Sequence, residues 1–242
     1  MKSYDVVVCG GGHAGVEASL ISLKLGCKTA LITMNKRAIG RMSCNPAIGG
    51  LSKGQIVKEM DILGGMMGVA TDFSAIQFKI LNQSKGKSVW SPRAQVDKRI
   101  YESFVLNNIV ASNLEVVEGE VVDIIHKNGN IEGVVLRDGS KIKAKSVILT
   151  CGTFLNGLIH IGQRKIRAGR MGESAADGIT ESLVKMGFKS GRLKTGTPPR
   201  INKNSIDWNN AKKVYGDEIA IPFSYRTKNF KPANHPCHSI YT

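Results

Sequence analysis

The sequence predicts an α/β protein built on a parallel, nucleotide-binding sheet of the Rossmann type, extended by an antiparallel β-meander. Two observations support this prediction. A glycine-rich turn separates an apolar strand from a helix with an apolar stripe, and Asn-Gly and Asp-Gly turns separate three β-rich runs further along the chain. The chain has 242 residues and is 42% hydrophobic and 22% charged. This is the composition of an ordinary globular protein, and it excludes intrinsic disorder.

The first strand is predicted at residues 4–9, a continuous apolar run typical of a strand buried on both faces of a parallel sheet. Apolar residues then recur at helical spacing as far as Gly26, which is suited to end a helix. Residues 29–32 form the second predicted strand. The opening of the chain is therefore a strand–helix–strand unit.

The next predicted elements are less regular. Residues 36–92 are rich in Gly, Ser, Lys and Met, with a short helix near 55–63, and are too long for a passive loop, so we expect them to line a site. Apolar spacing predicts an amphipathic helix over 93–111, and 114–117 form the third strand.

The meander is predicted from runs at 121–126, 131–137 and 141–150. Its last strand is apolar enough to rejoin the parallel sheet. A further helix is predicted over 172–187, and beyond residue 201 no clear period remains.

The glycine-rich turn consists of six residues: Gly10, Gly11, Gly12, His13, Ala14 and Gly15. Its GxGxxG spacing between a strand and a helix is typical of dinucleotide binding. The first glycine permits the tight turn, the second lets a pyrophosphate approach the backbone, and the third lets the helix pack closely on the strand. The helix N-terminus then offers N–H groups to the phosphates, and we expect His13 to lie near them.

The second strand ends without the acidic residue that usually binds the ribose hydroxyls. Either Asn35 contacts the ribose, or Lys36 and Arg37 bind a ribose phosphate, which would favour NADP. The meander favours FAD over NADP. A strand–helix–strand unit followed by a third strand and an antiparallel meander is typical of flavoproteins with two dinucleotide-binding domains. In these proteins the backbone at the start of the meander, here near Val121, lies beside the adenine.

Five cysteines are present without a CxxC pair, which argues against a disulfide scaffold. Cys44 lies in a glycine-rich loop with three basic residues close in sequence, which would favour a reactive thiolate. The pattern alone leaves structural burial equally open. His235, Cys237 and His238 offer three metal ligands without a fourth, so no metal is expected.

The formal net charge is +15, of which residues 150–242 contribute +9. This excess fits a polyanionic partner, although it could serve solubility alone. No apolar run reaches the ~18–20 residues that a membrane span requires, and no signal peptide is evident. We therefore expect a cytoplasmic protein without membrane attachment.

Several blocks together resemble the MnmG/GidA family of tRNA uridine 5-carboxymethylaminomethyl modification enzymes, and the resemblance runs through the whole chain. The blocks are GGGHAG at 10–15, SCNPAIGG at 43–50, IQF at 76–78 with LN at 81–82 and SKG at 84–86, RAQ at 93–95, GTFL at 152–155, IHIG at 159–162 and GRLKTGTPPR at 191–200.

This resemblance implies an FAD enzyme that acts on the wobble uridine of tRNA, as a homodimer and with the GTPase MnmE as partner. Methylenetetrahydrofolate would supply the carbon, NADH the electrons, and glycine or ammonium the amine. It implies that Cys44 is one of two cysteines that the family requires, and that Cys237 is not the second. We expect an incomplete FAD-binding domain at 1–200 and the start of an inserted second domain at 201–242, because family members are considerably longer.

Four basic residues are candidate RNA contacts, although each could equally lie on a solvated face: Lys85, Arg93, Lys194 and Arg200. Two alternatives to the leading hypothesis stay open. One is the related folate- and FAD-dependent tRNA uracil methyltransferase, against which the blocks at 43–50 and 191–200 speak. The other is a catalytically silent module that binds tRNA.

Overall fold

The computed structural model describes residues 2–43, 45–196, 201–230 and 233–239. Within these ranges the strands are Ser3–Cys9 (β1), Thr29–Thr33 (β2), Ala47–Gly49 (β3), Ala75–Leu81 (β4), Ser91–Val96 (β5), Glu115–Glu118 (β6), Val121–Lys127 (β7), Asn130–Leu136 (β8), Lys141–Leu149 (β9), Leu158–Ile161 (β10), Arg164–Arg167 (β11), Lys212–Val214 (β12) and Cys237–Ser239 (β13). The α-helices are His13–Lys24 (α1), Lys53–Ile62 (α2), Met67–Ser74 (α3), Lys98–Ala111 (α4) and Ile179–Lys185 (α5).

The chain forms two compact units. The first comprises residues 1–40 and 106–194, and the second comprises 41–105 and 195–242. The predicted domains 1–200 and 201–242 stay a prediction. None of the helices in the described ranges is long and apolar enough to cross a bilayer.

The first unit contains a six-stranded sheet in the order β6-β2-β1-β9-β8-β7. Strands β6, β2, β1 and β9 are mutually parallel, whereas β8 and β7 continue the sheet in antiparallel fashion. The predicted strand–helix–strand unit, the meander and the return of its last strand to the parallel sheet are thus confirmed. The fold is a Rossmann-like α/β domain of the flavoprotein type.

The core of this unit lies around the two central strands. All five residues of β2 are buried, and Val7 of β1 is fully buried. Removing a side chain of this size from water stabilises the fold by about 1.5–3 kcal/mol. The continuous apolar runs therefore predicted these strands correctly, because helices or further strands cover both faces of a parallel sheet.

The helix predicted over 93–111 is wrong at its beginning. Residues 93–96 belong to β5, which pairs with β3 and β4, and α4 begins only at Lys98. Asp97 determines this start because its carboxylate accepts the N–H groups of Arg99, at 2.8 Å, and Ile100, at 3.1 Å. An aspartate that satisfies the first amides of a helix is a favoured N-cap.

The helix predicted over 172–187 is also too long. The described helix α5 spans Ile179–Lys185 and begins after Gly178, whose φ is 101°. A Cβ at Gly178 would lie 2.6 Å from the carbonyl oxygen of Val122, so only glycine fits this close to β7, and its positive φ is not helical, so the helix starts after it. Glu181 accepts the Gly178 N–H at 3.0 Å and fixes this turn.

In the second unit, residues 41–92 contain regular strands and helices, and whether they line a site stays a prediction. Strands β3, β5 and β4 form an antiparallel sheet in that order, and α2 packs against β3 and β5. The weakly patterned end of the chain contributes the antiparallel pair β12–β13.

Two aspartates fasten the segment 223–227 within this unit. Asp72 of α3 accepts the N–H groups of Phe223 at 2.7 Å and Ser224 at 2.9 Å, and the hydroxyl of Thr227 at 2.5 Å. Asp61 of α2 accepts the N–H of Tyr225 at 3.0 Å and an N–H of the Arg226 guanidinium at 2.7 Å.

The pKa values of the two carboxyl groups shift in opposite directions, although both groups are buried. Burial raises the pKa of Asp72 despite the three hydrogen bonds. At Asp61 burial has the same tendency, but hydrogen bonds from Ser224 and Arg226 outweigh it and lower the pKa. Each carboxylate is therefore held by hydrogen bonds from the segment 223–227. Removing either carboxylate would leave backbone N–H groups of this segment without an acceptor.

We predict that Asp72→Asn lowers the free energy of unfolding by about 1–3 kcal/mol, because the new amide NH₂ cannot accept the hydrogen bonds that this carboxylate accepts. Urea unfolding measures the change. Glu218→Gln, which alters an exposed carboxylate of the same unit, is the control and should change stability by less than about 0.5 kcal/mol. Equal urea midpoints for Asp72→Asn and the unsubstituted chain would contradict the assignment.

Candidate dinucleotide-binding site

The candidate site lies at one edge of the first unit's sheet. Because β6, β2, β1 and β9 are parallel, their carboxyl ends meet at the same edge. The segments that follow these strands begin at Gly10, Met34, Gly119 and Thr150. Ligands of open α/β sheets bind outside this edge, so the glycine-rich turn is in the expected place.

Two of the turn's glycines are required by the protein's own packing. Gly10 has a φ of 115°, and a Cβ there would lie 2.6 Å from the carbonyl oxygen of Thr150. A Cβ at Gly15 would lie 1.8 Å from the Gly10 carbonyl oxygen, closer than any side chain tolerates. The start of α1 therefore lies directly against the end of β1.

Gly12 differs, because none of the described residues requires a glycine there. A Cβ at this position would meet no atom of the described ranges within 4 Å, and the residue is exposed. Gly12 precedes α1, whose first turn contains no acidic residue and whose N-cap makes no side-chain hydrogen bond. A small residue next to a helix N-terminus leaves the backbone open to a phosphate, so the turn fits the diphosphate of a dinucleotide.

Thr33, the last residue of β2, connects the turn to the start of the meander. A Cβ at Gly11 would lie 2.9 Å from the Thr33 hydroxyl oxygen, and the Thr33 carbonyl accepts the Gly119 N–H at 2.9 Å. Val121 follows two residues later and begins β7, where its side chain is buried in the core. Its placement beside an adenine stays a prediction.

The structure brings the residues predicted at 10–15 together as one turn: His13 begins α1, Ala14 is exposed, and Gly15 is buried. Cys44 lies outside the described residues, so its role stays a prediction. Of the candidate RNA contacts, Lys85 and Lys194 are exposed and Arg93 is half-buried, whereas Arg200 lies outside the described residues.

Sequence reasoning missed Thr150, which closes the turn. Its hydroxyl lies 3.0 Å from both the Cys9 and the Gly10 carbonyl oxygens and can donate to either. The hydroxyl is also 2.7 Å from where a Gly15 Cβ would lie. The signal available in the sequence was a threonine at the end of a strand predicted to rejoin the sheet beside β1.

Glu118 was missed as well, and it places a carboxylate beside the end of β2, which has none of its own. It pairs with Thr33 across β2 and β6, and its Oε2 accepts the Lys36 N–H at 2.9 Å. Asn35 accepts the Arg37 N–H at 2.8 Å. A carboxylate here suits ribose hydroxyls and repels a ribose phosphate, which favours FAD over NADP.

Two cysteines lie beneath the turn. Cys151 Sγ is 3.7 Å from the Cys9 carbonyl oxygen. Burial raises the pKa of both thiols, and at Cys9 the neighbouring Cys151 adds to the effect. Both therefore stay protonated near neutral pH and are poor nucleophiles.

The predicted His-x-Cys-His segment makes ordinary contacts. Cys237 Sγ donates to the Gln77 side-chain oxygen at 3.4 Å, and the His238 ring packs edge-on against Trp208 with centroids 5.0 Å apart. Across the described ranges, no three His, Cys, Asp or Glu side chains come together as a metal site.

The parallel sheet and its glycine turn define a dinucleotide-binding domain of the Rossmann-like flavoprotein class. Residues 5–242 match the family model described as "Glucose inhibited division protein A". The chain belongs to this family, GidA.

Two relatives are named tRNA uridine 5-carboxymethylaminomethyl modification enzyme MnmG. The protein from Thermodesulfovibrio yellowstonii is 47% identical over 242 residues, and that from Flavobacterium psychrophilum is 50% identical over 245 residues. Each match covers 100% of this chain and 39% of the relative. The chain thus spans well under half the length of these relatives.

Solved structures give the same family. GidA of Aquifex aeolicus is 45% identical and superposes with a TM-score of 0.90, covering 98% of this chain and 39% of that one. A GidA-related protein from Thermus thermophilus is 18% identical with a TM-score of 0.56, covering 77% of this chain and 69% of that one. The latter likeness shows the fold alone.

We predict unequal effects on stability for two alanine substitutions in the turn. Gly15→Ala should lower the free energy of unfolding by about 1–3 kcal/mol or more, because the new methyl group overlaps the Gly10 carbonyl. Gly12→Ala should change it by less than about 0.5 kcal/mol, because the methyl group enters open space. Urea unfolding of both variants measures the difference, and equal losses would show that the described packing is wrong.

Proposed function

We propose that this chain is the flavin-binding, amino-terminal part of an enzyme that adds a carboxymethylaminomethyl or aminomethyl group to carbon 5 of the wobble uridine in tRNA. The observation that carries the proposal is the match of the whole chain, at 47% and 50% identity, to relatives named for this modification. The glycine turn supports it by offering a diphosphate site at the edge where this fold class binds nucleotides.

FAD is the proposed cofactor, and the residues at the sheet edge fit it. The backbone of 10–15 would hold the diphosphate, with Gly12 leaving room for it. Glu118 or Asn35 would contact the ribose, and the backbone near Val121 would border the adenine. FAD, when bound, supplies the redox chemistry of the reaction, for which we propose NADH as reductant.

Cys44 is the proposed catalytic nucleophile. A thiolate that adds to carbon 6 of uracil makes carbon 5 nucleophilic toward an activated methylene. Removal of the carbon-5 proton by a base, with departure of the thiolate from carbon 6, then restores the ring double bond. Methylenetetrahydrofolate is the proposed carbon donor. Cys9 and Cys151 are poor candidates for this role because burial keeps their thiols protonated.

The remaining parts of the proposal concern the whole enzyme. It would act in the cytoplasm as a homodimer with the GTPase MnmE as partner and tRNA as substrate. The uracil methyltransferase alternative receives less support, because the relatives at 47% and 50% identity are named for the carboxymethylaminomethyl modification. The silent RNA-binding module differs from the leading proposal in one measurable property, which is flavin binding.

We predict that the chain binds FAD and that Gly12→Ala weakens this binding at least about tenfold without lowering stability, because its methyl group occupies the space a phosphate needs. Titration of flavin fluorescence measures the affinity. Gly191→Ala is the matched control, since a Cβ there also meets nothing within 4 Å. Absence of flavin binding by the unsubstituted chain, or unchanged affinity in Gly12→Ala, would contradict the proposed cofactor site.

The role of Cys44 is best tested in a chimera in which residues 1–242 replace the matching part of Aquifex aeolicus GidA. Cys44→Ala should abolish wobble-uridine modification, measured by mass spectrometry of tRNA nucleosides, while the chimera keeps its flavin absorbance. Cys27→Ala is the control and should retain both. Normal modification by the Cys44→Ala chimera would reject the nucleophile assignment.

A further inference from the structure

The β10–β11 hairpin has two chemically different faces. Residues directly opposite each other in an antiparallel pair point to the same side of the sheet. One face therefore carries Leu158 opposite Arg167 and His160 opposite Lys165. The other carries Ile159 opposite Ile166 and Ile161 opposite Arg164. The first face is cationic, and we call it the basic face; the second contains three isoleucines.

Acidic side chains near the hairpin are already engaged within the protein. Glu173 forms an ion pair with Arg170, and Asp177 pairs with Arg167 at 2.6 Å. Glu181 accepts hydrogen bonds from the Asn156 amide and the Gly178 N–H, both at 3.0 Å. These carboxylates therefore position their partners and leave a net positive surface.

Lys165 is the most available cation of the basic face. It is exposed, and within the described part of the chain its ammonium group makes no ion pair or hydrogen bond. Arg167 beside it uses one guanidinium nitrogen for both Asp177 and Asn156. The planar fork of an arginine keeps further N–H groups for a second anion.

A cleft of about 370 Å³ adjoins the basic face, lined by Asn156, Gly157, Leu158, Arg167, Glu181 and Arg192. Arg192 is held there because its Nη1 donates to the Asn156 carbonyl oxygen at 2.9 Å. The sequence around Arg192 adds to the charge within the same unit, since residues 182–194 contain four lysines and arginines but no Asp or Glu. The cleft and the hairpin share Leu158 and Arg167 and so form one continuous surface. On it the three cations Lys165, Arg167 and Arg192 outnumber the two carboxylates of Asp177 and Glu181.

We propose that the basic face of the β10–β11 hairpin, with Arg192 at the adjoining cleft, binds the phosphate backbone of the tRNA substrate. Lysine and arginine side chains on an exposed surface are suited to contact phosphates. Such contacts fix the position of an RNA and do not select its sequence. An anionic membrane is less suited, because membrane-binding surfaces combine cations with apolar residues that insert, and here the isoleucines lie on the opposite face. The inference rests on the proposed function and adds a location for its substrate.

The test compares Lys165→Gln with Arg164→Gln. The two substitutions remove one positive charge each from neighbouring positions of β11, but from opposite faces of the hairpin. Binding of an unmodified tRNA transcript to the chain is measured by fluorescence anisotropy across about 50–200 mM salt. Lys165→Gln should weaken binding several-fold and reduce the slope of log K against log salt by about 0.7–0.9, as expected for one lost phosphate contact. Arg164→Gln should leave both nearly unchanged.

Equal effects of the two substitutions would overturn the inference, because only net charge would then matter. Failure of the chain to bind tRNA would also overturn it, as would binding to vesicles of anionic phospholipid that depends on Lys165 in place of tRNA binding. Flavin affinity is measured on the same samples. If the chain binds FAD and the tRNA result fails, only this inference is wrong, whereas loss of flavin binding by the unsubstituted chain counts against the proposed function.

Discussion

The contact between the start of α1 and the end of β1 determines the candidate site. A Cβ at Gly15 would lie 1.8 Å from the Gly10 carbonyl oxygen, so only glycine lets the helix begin this close to the strand. The hydroxyl of Thr150 is shared between the Cys9 and Gly10 carbonyls and joins β9 to the same turn. This packing places the N-terminus of α1 at the edge of the sheet. There the helix dipole and the backbone N–H groups favour the binding of a phosphate.

Carboxylates serve different purposes in the two units. Asp61 and Asp72 are buried and accept backbone N–H groups, so they act as connectors between helices and an irregular segment. Glu118 is exposed at the sheet edge and holds one backbone N–H of the segment after β2. Near the β10–β11 hairpin the acids are used in internal pairs, which leaves the surplus of lysine and arginine facing outward.

Local periodicity predicted most elements but failed where a tertiary contact decided a boundary. Spacing of apolar residues over 93–111 satisfied a helical pattern, yet residues 93–96 pair with two strands that no local pattern identifies as neighbours. The start of α5 was misplaced for a similar reason, since Gly178 packs against Val122 of the distant strand β7. Thr150 and Glu118 were missed because their importance comes from the strands beside them.

The sequence by itself determined the parallel core, the meander, the glycine turn and the family, because each depends on residue types at short, fixed spacing. Apolar runs, Asn-Gly and Asp-Gly turns and the GxGxxG spacing all act through local geometry. Only the tertiary structure shows that packing requires glycine at positions 10 and 15, and that the space beside Gly12 is open. It also placed a carboxylate, Glu118, beside the end of β2, and decided which cations share a face of the β10–β11 hairpin. These properties depend on distances between segments far apart in the chain, and such distances exist only once the chain has folded.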